Sequence, residues 1–117
     1  MGNNDPDDPV AMYIREVGSV KPLAKDEEPK LFRELAGPGD WDEAQENVAR
    51  RLIEGHLAQV LSIAQKHSAS GAPMLDLIQE GNLGLMNAIR SFAERPIGDF
   101  TDYAATCIDD AIKKAFG

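Results

Sequence analysis

Residues 75–86 read LDLIQEGNLGLM, an apolar run set with Asp76, Gln79, Glu80 and Asn82 and interrupted by Gly81 and Gly84. Asp76, Gln79 and Glu80 stand at i, i+3 and i+4, so a helix carries them on one face while Leu77 and Ile78 point elsewhere. Gly81 is read as the end of that short helix. Asn82 and Met86 repeat the i, i+4 step on a following helix that continues through Leu85, Ala88, Ile89 and Phe92. The glycine break is expected to turn both patches toward one surface. On spacing alone an ordinary exposed face is the plainer reading. The other is a docking surface for a basic or amide-bearing partner, with Leu75 and Met86 as apolar contacts beside the polar set.

The flanking segments are helical as well. After a turn at ERPIGD, 94–99, the apolar residues Phe100, Tyr103, Ala104, Cys107, Ile108, Ala111, Ile112, Ala115 and Phe116 keep the spacing of a wide helical stripe. Upstream, SASGAP, 68–73, is a loop by composition. Before it, Asp40 is expected to cap a helix bearing Trp41, Ala44, Val48 and Leu52. Its stripe shifts through Gly55 to Leu57, Val60, Leu61 and Ala64, which predicts one long helix or two with a bend near Gly55. Asp26 to Glu28 and Pro29 suit a helix start, with Leu31, Phe32 and Leu35 on its apolar face before the break at GPGD, 37–40. Asp8 and Pro9 open a short first helix with Val10, Tyr13, Ile14 and Val17, ended at Gly18. Residues 1–7 read as a flexible tail. The whole predicts an all-α, compact single domain of about five to seven helices over residues 8–117, with no internal repeat or dividing linker.

Composition narrows the function classes. A chain of 117 residues, 43% hydrophobic and 27% charged, suits one globular domain with a proper core. No run approaches the roughly 18 apolar residues of a membrane span, and the polar, acidic start MGNNDPDDP does not resemble a signal peptide, so a cytoplasmic location is expected. Cys107 is the single cysteine, which leaves no disulfide framework and no paired-thiolate metal site. The net charge of −8 divides as −4, −2 and −2 over residues 1–40, 41–91 and 92–117. Since phosphate contacts supply most non-specific affinity, a chain with no basic segment is a poor stand-alone binder of DNA or RNA.

Catalytic candidates each have a plainer explanation. His56 and His67 lie about 16 Å apart along a helix, too far to share a metal, and are expected in surface or cap roles. Asp109 and Asp110 diverge by about 100° around a helix and read as a solvated face. Cys107 falls on the apolar stripe as a small hydrophobe. GNLG lacks the length and the following Lys and Ser or Thr of a phosphate-cradling loop. No enzyme, cofactor, metal or small-molecule substrate is expected.

Four segments add a resemblance. DPVAMYIREVGSV (8–20), LIEGHLAQVLSIAQKH (52–67), LDLIQEGNLGLMNAIRSF (75–92) and DFTDYAATCIDDAI (99–112) resemble, in order and spacing, the sigma-70 family of bacterial transcription initiation factors. The resemblance covers roughly residues 7–117, and LDLIQEGNLGLM is its most specific part. It implies an all-helical domain like the family's region 2, together with the short helix before it. In the family the LDLIQEGN helices dock on the clamp coiled coil of the largest catalytic-core subunit of RNA polymerase. By that resemblance Leu75, Asp76, Gln79, Glu80, Asn82 and Met86 form an RNA polymerase core-binding surface.

The same resemblance implies altered DNA contacts. The family melts the promoter's minus-ten element by stacking aromatic side chains on unpaired bases and touching phosphates with basic ones. Phe92, Phe100 and Tyr103 keep aromatic positions and Arg95 a basic one, while Tyr13 and Arg15 match positions used near the discriminator bases. These six are the residual DNA-binding set. The family's tryptophan pair falls on Thr106 and Cys107, and two tyrosines fall on Glu94 and Gly98. Basic or amide residues fall on Asp99, Asp109 and Asp110, an arginine falls on Pro96, and Ala11 replaces another. Each lost base stack removes about 1 to 3 kcal/mol, so promoter melting is expected to be weakened or lost. The sequence given stops at Gly117, before the family's helix-turn-helix domain. The expected function is a polymerase-docking domain, either competing with complete sigma factors or forming part of a divided one. Two other readings remain: a minus-ten-recognising domain of a longer or divided factor, and a helical interaction domain unrelated to transcription.

Overall fold

The computed structural model describes residues 8–37 and 39–117, so the tail expected at residues 1–7 lies outside the described residues, as does Pro38. Six α-helices and one short 3₁₀ turn follow in order, with no strand among the described residues. Helix α1 (Pro9–Ser19) starts as expected. The Asp8 carboxylate accepts a hydrogen bond from the Ala11 N–H at 3.1 Å, and Pro9 fills the first turn. Helix α2 (Glu27–Leu35) carries Glu27 and Glu28 in its first turn and turns Phe32 and Leu35 inward.

Helix α3 (Glu43–Glu54) corrects the capping assignment, because Asp42 and not Asp40 caps it. The Gln45 N–H donates to Asp42 Oδ1 at 2.8 Å, and the Asp42 N–H donates to Gln45 Oε1 at 3.0 Å. This reciprocal pair satisfies two otherwise orphaned donors. Gln45 Nε2 also donates to the Glu34 carbonyl at 3.1 Å, which ties the start of α3 to the last turn of α2. Trp41 is thereby left ahead of the helix, half-buried against the core.

Helix α4 (Leu57–Lys66) is separate from α3, so the bend near Gly55 resolves into two helices. A Cβ on Gly55 would lie 2.4 Å from Leu23 Cγ, so the glycine leaves space for the α1–α2 connector to pack into the junction. The 3₁₀ turn (Ser68–Ser70) and Gly71, at φ 86°, then reverse the chain.

Helix α5 (Met74–Glu94) is the larger correction: the two short helices expected on either side of Gly81 are one helix of 21 residues. Glycine ordinarily weakens a helix interior by about 1 kcal/mol relative to alanine. Here both glycines lie where neighbours come too close for a side chain. A Cβ on Gly81 would approach Val60 Cγ1 to 2.8 Å, and one on Gly84 would meet the Cys107 carbonyl oxygen at 2.7 Å and Ala111 Cβ at 2.9 Å. Tertiary packing therefore overrides local propensity. Helix α6 (Phe100–Phe116) matches the expected stripe and is capped by Asp99, which accepts from the Asp102 N–H at 3.0 Å. It crosses α5 at these glycines.

One buried cluster joins α2 to α6. Leu77, Leu85 and Ile89 of α5 meet Val60 and Ala64 of α4, Leu52 of α3, and Ala104, Ile108 and Ile112 of α6. At one end Phe32, Phe92 and Phe100 form an aromatic trio with ring centroids 4.8 to 5.2 Å apart.

Both histidines sit at the ends of α4, and each holds a carboxylate from another helix. His56 occupies the N-cap position of α4, one of its two expected roles, but it is buried and its side chain makes no cap hydrogen bond. Its Nδ1 lies 2.8 Å from the Leu52 carbonyl, its Nε2 lies 2.8 Å from Glu28 Oε1, and its ring meets Phe100 edge-on at 5.0 Å. His67 occupies the C-cap position of α4, and its Nε2 lies 2.6 Å from Asp109 Oδ1. Asp109 Oδ2 also takes Lys113 at 2.8 Å. Asp110 is exposed, but Asp109 is half-buried and paired, so only one of the two belongs to a solvated face. The hydrogen bond from Lys113 first, and that from His67 second, hold the Asp109 carboxyl below its usual range.

Two stability tests follow from this packing. Gly84→Ala, stabilising in an exposed helix, is expected to lower the free energy of unfolding by about 1 to 3 kcal/mol through overpacking against the α6 backbone. Urea titration followed by circular dichroism measures this, and unchanged or raised stability would contradict the crossing. For Asp109, a carboxyl depressed in the folded state contributes stability that is present above its unfolded value of about 3.9 and lost as pH falls through the lower folded value. Asp109→Asn is expected to lower the melting midpoint by a few degrees at most near neutrality, since the pair is partly exposed and screened. That difference should shrink below about pH 4, and a difference that grows in acid would reverse the assignment.

Candidate functional site

Because α5 is continuous, its surface is divided lengthwise. Leu77, Ile78, Gly81, Gly84, Leu85, Ala88, Ile89 and Phe92 are buried. On the other side Leu75, Asp76, Gln79 and Met86 are exposed, while Glu80 and Asn82 are half-buried at its borders. The six residues expected to dock a partner therefore share one helix. They do so along one continuous helix and not through a glycine turn.

Leu83 was not singled out by sequence, yet it is the most exposed residue of this apolar set, at 52%, against 38% for Met86 and 37% for Leu75. Its signal was the spacing. Asp76, Gln79, Leu83, Met86 and Arg90 recur at steps of 3, 4, 3 and 4, the register in which one helix presents a seam to another. Read as two helices, the segment hides that register; read as one, it shows it. Neither Asp76 nor Glu80 forms an ion pair among the described residues, so both carboxylates are available at the N-terminal end of the seam. The Asn82 Oδ1 atom is enclosed and has no hydrogen-bond partner among the described residues.

The residual DNA-binding set is dispersed by comparison. Phe92 and Phe100 are buried in the aromatic trio, so their rings serve the core. Tyr103 is exposed, with its ring 6.1 Å from that of Phe92. Arg95 is exposed in the turn between α5 and α6. Tyr13 packs against the core from α1 with its hydroxyl enclosed, and Arg15 is exposed on the same helix. Helix α1 rests on α4, so Tyr13 and Arg15 are carried by a different element from the aromatic group. Thr106 is exposed and Cys107 half-buried, and neither offers a ring. An open cleft of about 610 Å³ lies between α2 and the α5–α6 turn, lined by the aromatic trio and flanked by Lys25, Arg33 and Asp99.

The chemical inventory is otherwise sparse. Among the described residues no three His, Cys, Asp or Glu side chains are grouped so as to hold a metal ion. Each histidine is engaged by its own carboxylate. Among the described residues no helix is long and apolar enough to cross a membrane.

Comparison with known proteins agrees with the helical arrangement. The family model described as sigma-70 region 2 matches residues 52–116, from the end of α3 through α6. The RNA polymerase sigma factor SigA of Lactococcus lactis subsp. cremoris is 41% identical over 109 residues, covering 93% of this chain and 29% of the relative. Its namesake from a Bacillus species is 41% identical over 108 residues, covering 92% and 27%. That of Clostridium acetobutylicum is 39% identical over 109 residues, covering 93% and 27%. The chain thus spans less than a third of the length of these relatives. With the order of helices and the family match in agreement, the chain belongs to the sigma-70 family and carries its region 2.

Proposed function

We propose that this chain docks on core RNA polymerase through the outer face of α5, with a much reduced capacity to melt promoter DNA. The observation that carries the reading is the seam itself: an exposed row of Asp76, Gln79, Leu83 and Met86 at coiled-coil spacing on a rigid, buried-backed helix. Its kin are named RNA polymerase sigma factors, and the family resemblance implies docking of this segment on the paired helices of the clamp. Leu75, Leu83 and Met86 would supply apolar burial of about 1 kcal/mol each, because each begins partly covered. Asp76, Gln79, Glu80 and Asn82 would supply direction and hydrogen bonds to basic or amide side chains.

Several features support the weakened DNA role. Thr106 and Cys107 have no ring to stack on a base, and the rings of Phe92 and Phe100 are committed to the core. Asp99 caps α6 and Asp109 is bound to His67 and Lys113, so these carboxylates are held in place beside the surface that would face the nucleic acid. A phosphate chain there meets the Asp99 carboxylate, and the Lys113 ammonium that could attract it is already paired with Asp109.

A second reading keeps a minus-ten-recognising role within a longer or divided factor. Tyr103, exposed beside Phe92, favours it. Fluorescence anisotropy with a single-stranded minus-ten oligonucleotide separates the two. The docking reading expects no sequence-selective binding by the isolated chain. Salt-sensitive, selective binding abolished by Tyr103→Ala would support the second reading.

The docking test uses sigma-free core RNA polymerase and the purified chain in a surface-binding assay. Leu83→Arg, and separately Gln79→Ala combined with Glu80→Arg, should each weaken binding about tenfold or more, equivalent to about 1.4 kcal/mol. Failure of the unaltered chain to bind, or equal binding by both variants, would overturn the proposal.

A further inference from the structure

The seam on α5 does not end at its apolar centre. Arg90 continues the 3-4 register beyond Met86, and its guanidinium lies over the Trp41 ring, 5.2 Å from the ring centroid. Arg50 projects from α3 beside it. Together with Ile53, Met86 and Ile89 these residues line a groove of about 210 Å³, open to solvent and continuous with the docking face through Met86. Its volume falls below the roughly 300 Å³ at which small-molecule sites begin, and leaves room for one side chain. Glu46 also borders the groove, but among the described residues it forms no ion pair with either arginine, and Arg50 donates to Asn47 Oδ1 at 2.7 Å.

The face differs from end to end. Asp76 and Glu80 make one end acidic, Leu83 and Met86 make the middle apolar, and Arg90 and Arg50 bring cations to the other end, with Glu46 beside both and Asp40 and Glu94 on the far flank of Arg90. Fourteen residues separate Asp76 from Arg90, which is two heptads, or about 21 Å along the axis. The stack on Trp41 restrains the guanidinium before any partner arrives, so less side-chain freedom is lost on binding.

We infer that this groove is a second contact of the docking face, receiving an aspartate or glutamate side chain of the same partner helix that lies along α5. The partner helix is thus basic where it meets Asp76 and Glu80, and acidic two heptads further on, where it meets Arg50 and Arg90. This charge pattern fixes its direction along the seam, because the reversed helix would bring like charges together at both ends. The inference rests on the docking reading and adds to it the partner's polarity and register.

Binding to sigma-free core RNA polymerase, measured at several salt concentrations, tests it with Arg90→Glu, Arg50→Glu and the double variant. Each single reversal should weaken binding about tenfold, mainly through faster dissociation, and the double variant should bind with a shallower salt dependence. Circular dichroism and the thermal midpoint show whether each variant is folded. Should Arg90→Glu unfold, Arg50→Glu decides alone, since Arg50 is exposed on α3 and stands outside the stack. Unchanged affinity for the reversals while Glu80→Arg abolishes binding would overturn the second contact and leave the docking reading intact. Indifference to all of these variants, Glu80→Arg included, would overturn the docking reading too. A loss that emerges only when promoter DNA is added would assign the arginines to phosphate and overturn the inference.

Discussion

The crossing of α5 and α6 at Gly81 and Gly84 is the contact on which the rest of the structure depends. With no side chain at either position, the α6 backbone approaches to the point where a Cβ on Gly84 would collide with the Cys107 carbonyl. That closeness keeps the buried side of α5 packed along most of its length, against α4 as well as α6. A helix clamped in this way cannot bend toward a partner or unwind at its glycines without opening the core. Its outer side is consequently a straight, preformed row, and little ordering entropy is left to lose when something lies against it.

The same geometry limits what α6 can do. Its inner stripe is committed to α5 and α4, Phe100 is committed to the aromatic trio, and Asp109 is tied to the end of α4 by His67. What remains exposed is Tyr103 amid carboxylates and small polar groups, with Lys113, Lys114 and Phe116 at the far end of the helix. A surface that melts DNA needs aromatic faces free to receive unstacked bases and cations to hold the strand. On this helix those demands compete with the packing that holds the fold, and packing takes the ring of Phe100.

Much of the fold was legible in the sequence, and the parts that were not share a cause. The stripe from Phe100 to Phe116 announced α6 because its period is local and unbroken. Asp8 with Pro9 announced α1 for the same reason. Gly81 and Gly84 misled because glycine both ends helices and permits helices to touch, and the choice depends on residues 107 to 111, which are remote in the chain. Asp40 followed by Glu43 and Asp42 followed by Gln45 both fit a capping pattern, and the decision came from Gln45 reaching Glu34. The partnership of His67 with Asp109 spans 42 residues and has no local signal. For the site, the polar residues at 76, 79 and 80 were readable from helical spacing, whereas Leu83 became visible only once the helix was known to be continuous.

In the proposed docking the outer face of α5, and not α6, meets the polymerase. Hydroxyl-radical footprinting of the chain alone and bound to sigma-free core RNA polymerase tests it directly, because leucine, methionine, tryptophan and tyrosine side chains report their own exposure. Leu83 and Met86 are expected to lose reactivity on binding while Tyr103 keeps it. Protection of Tyr103 with Leu83 and Met86 unchanged would contradict it.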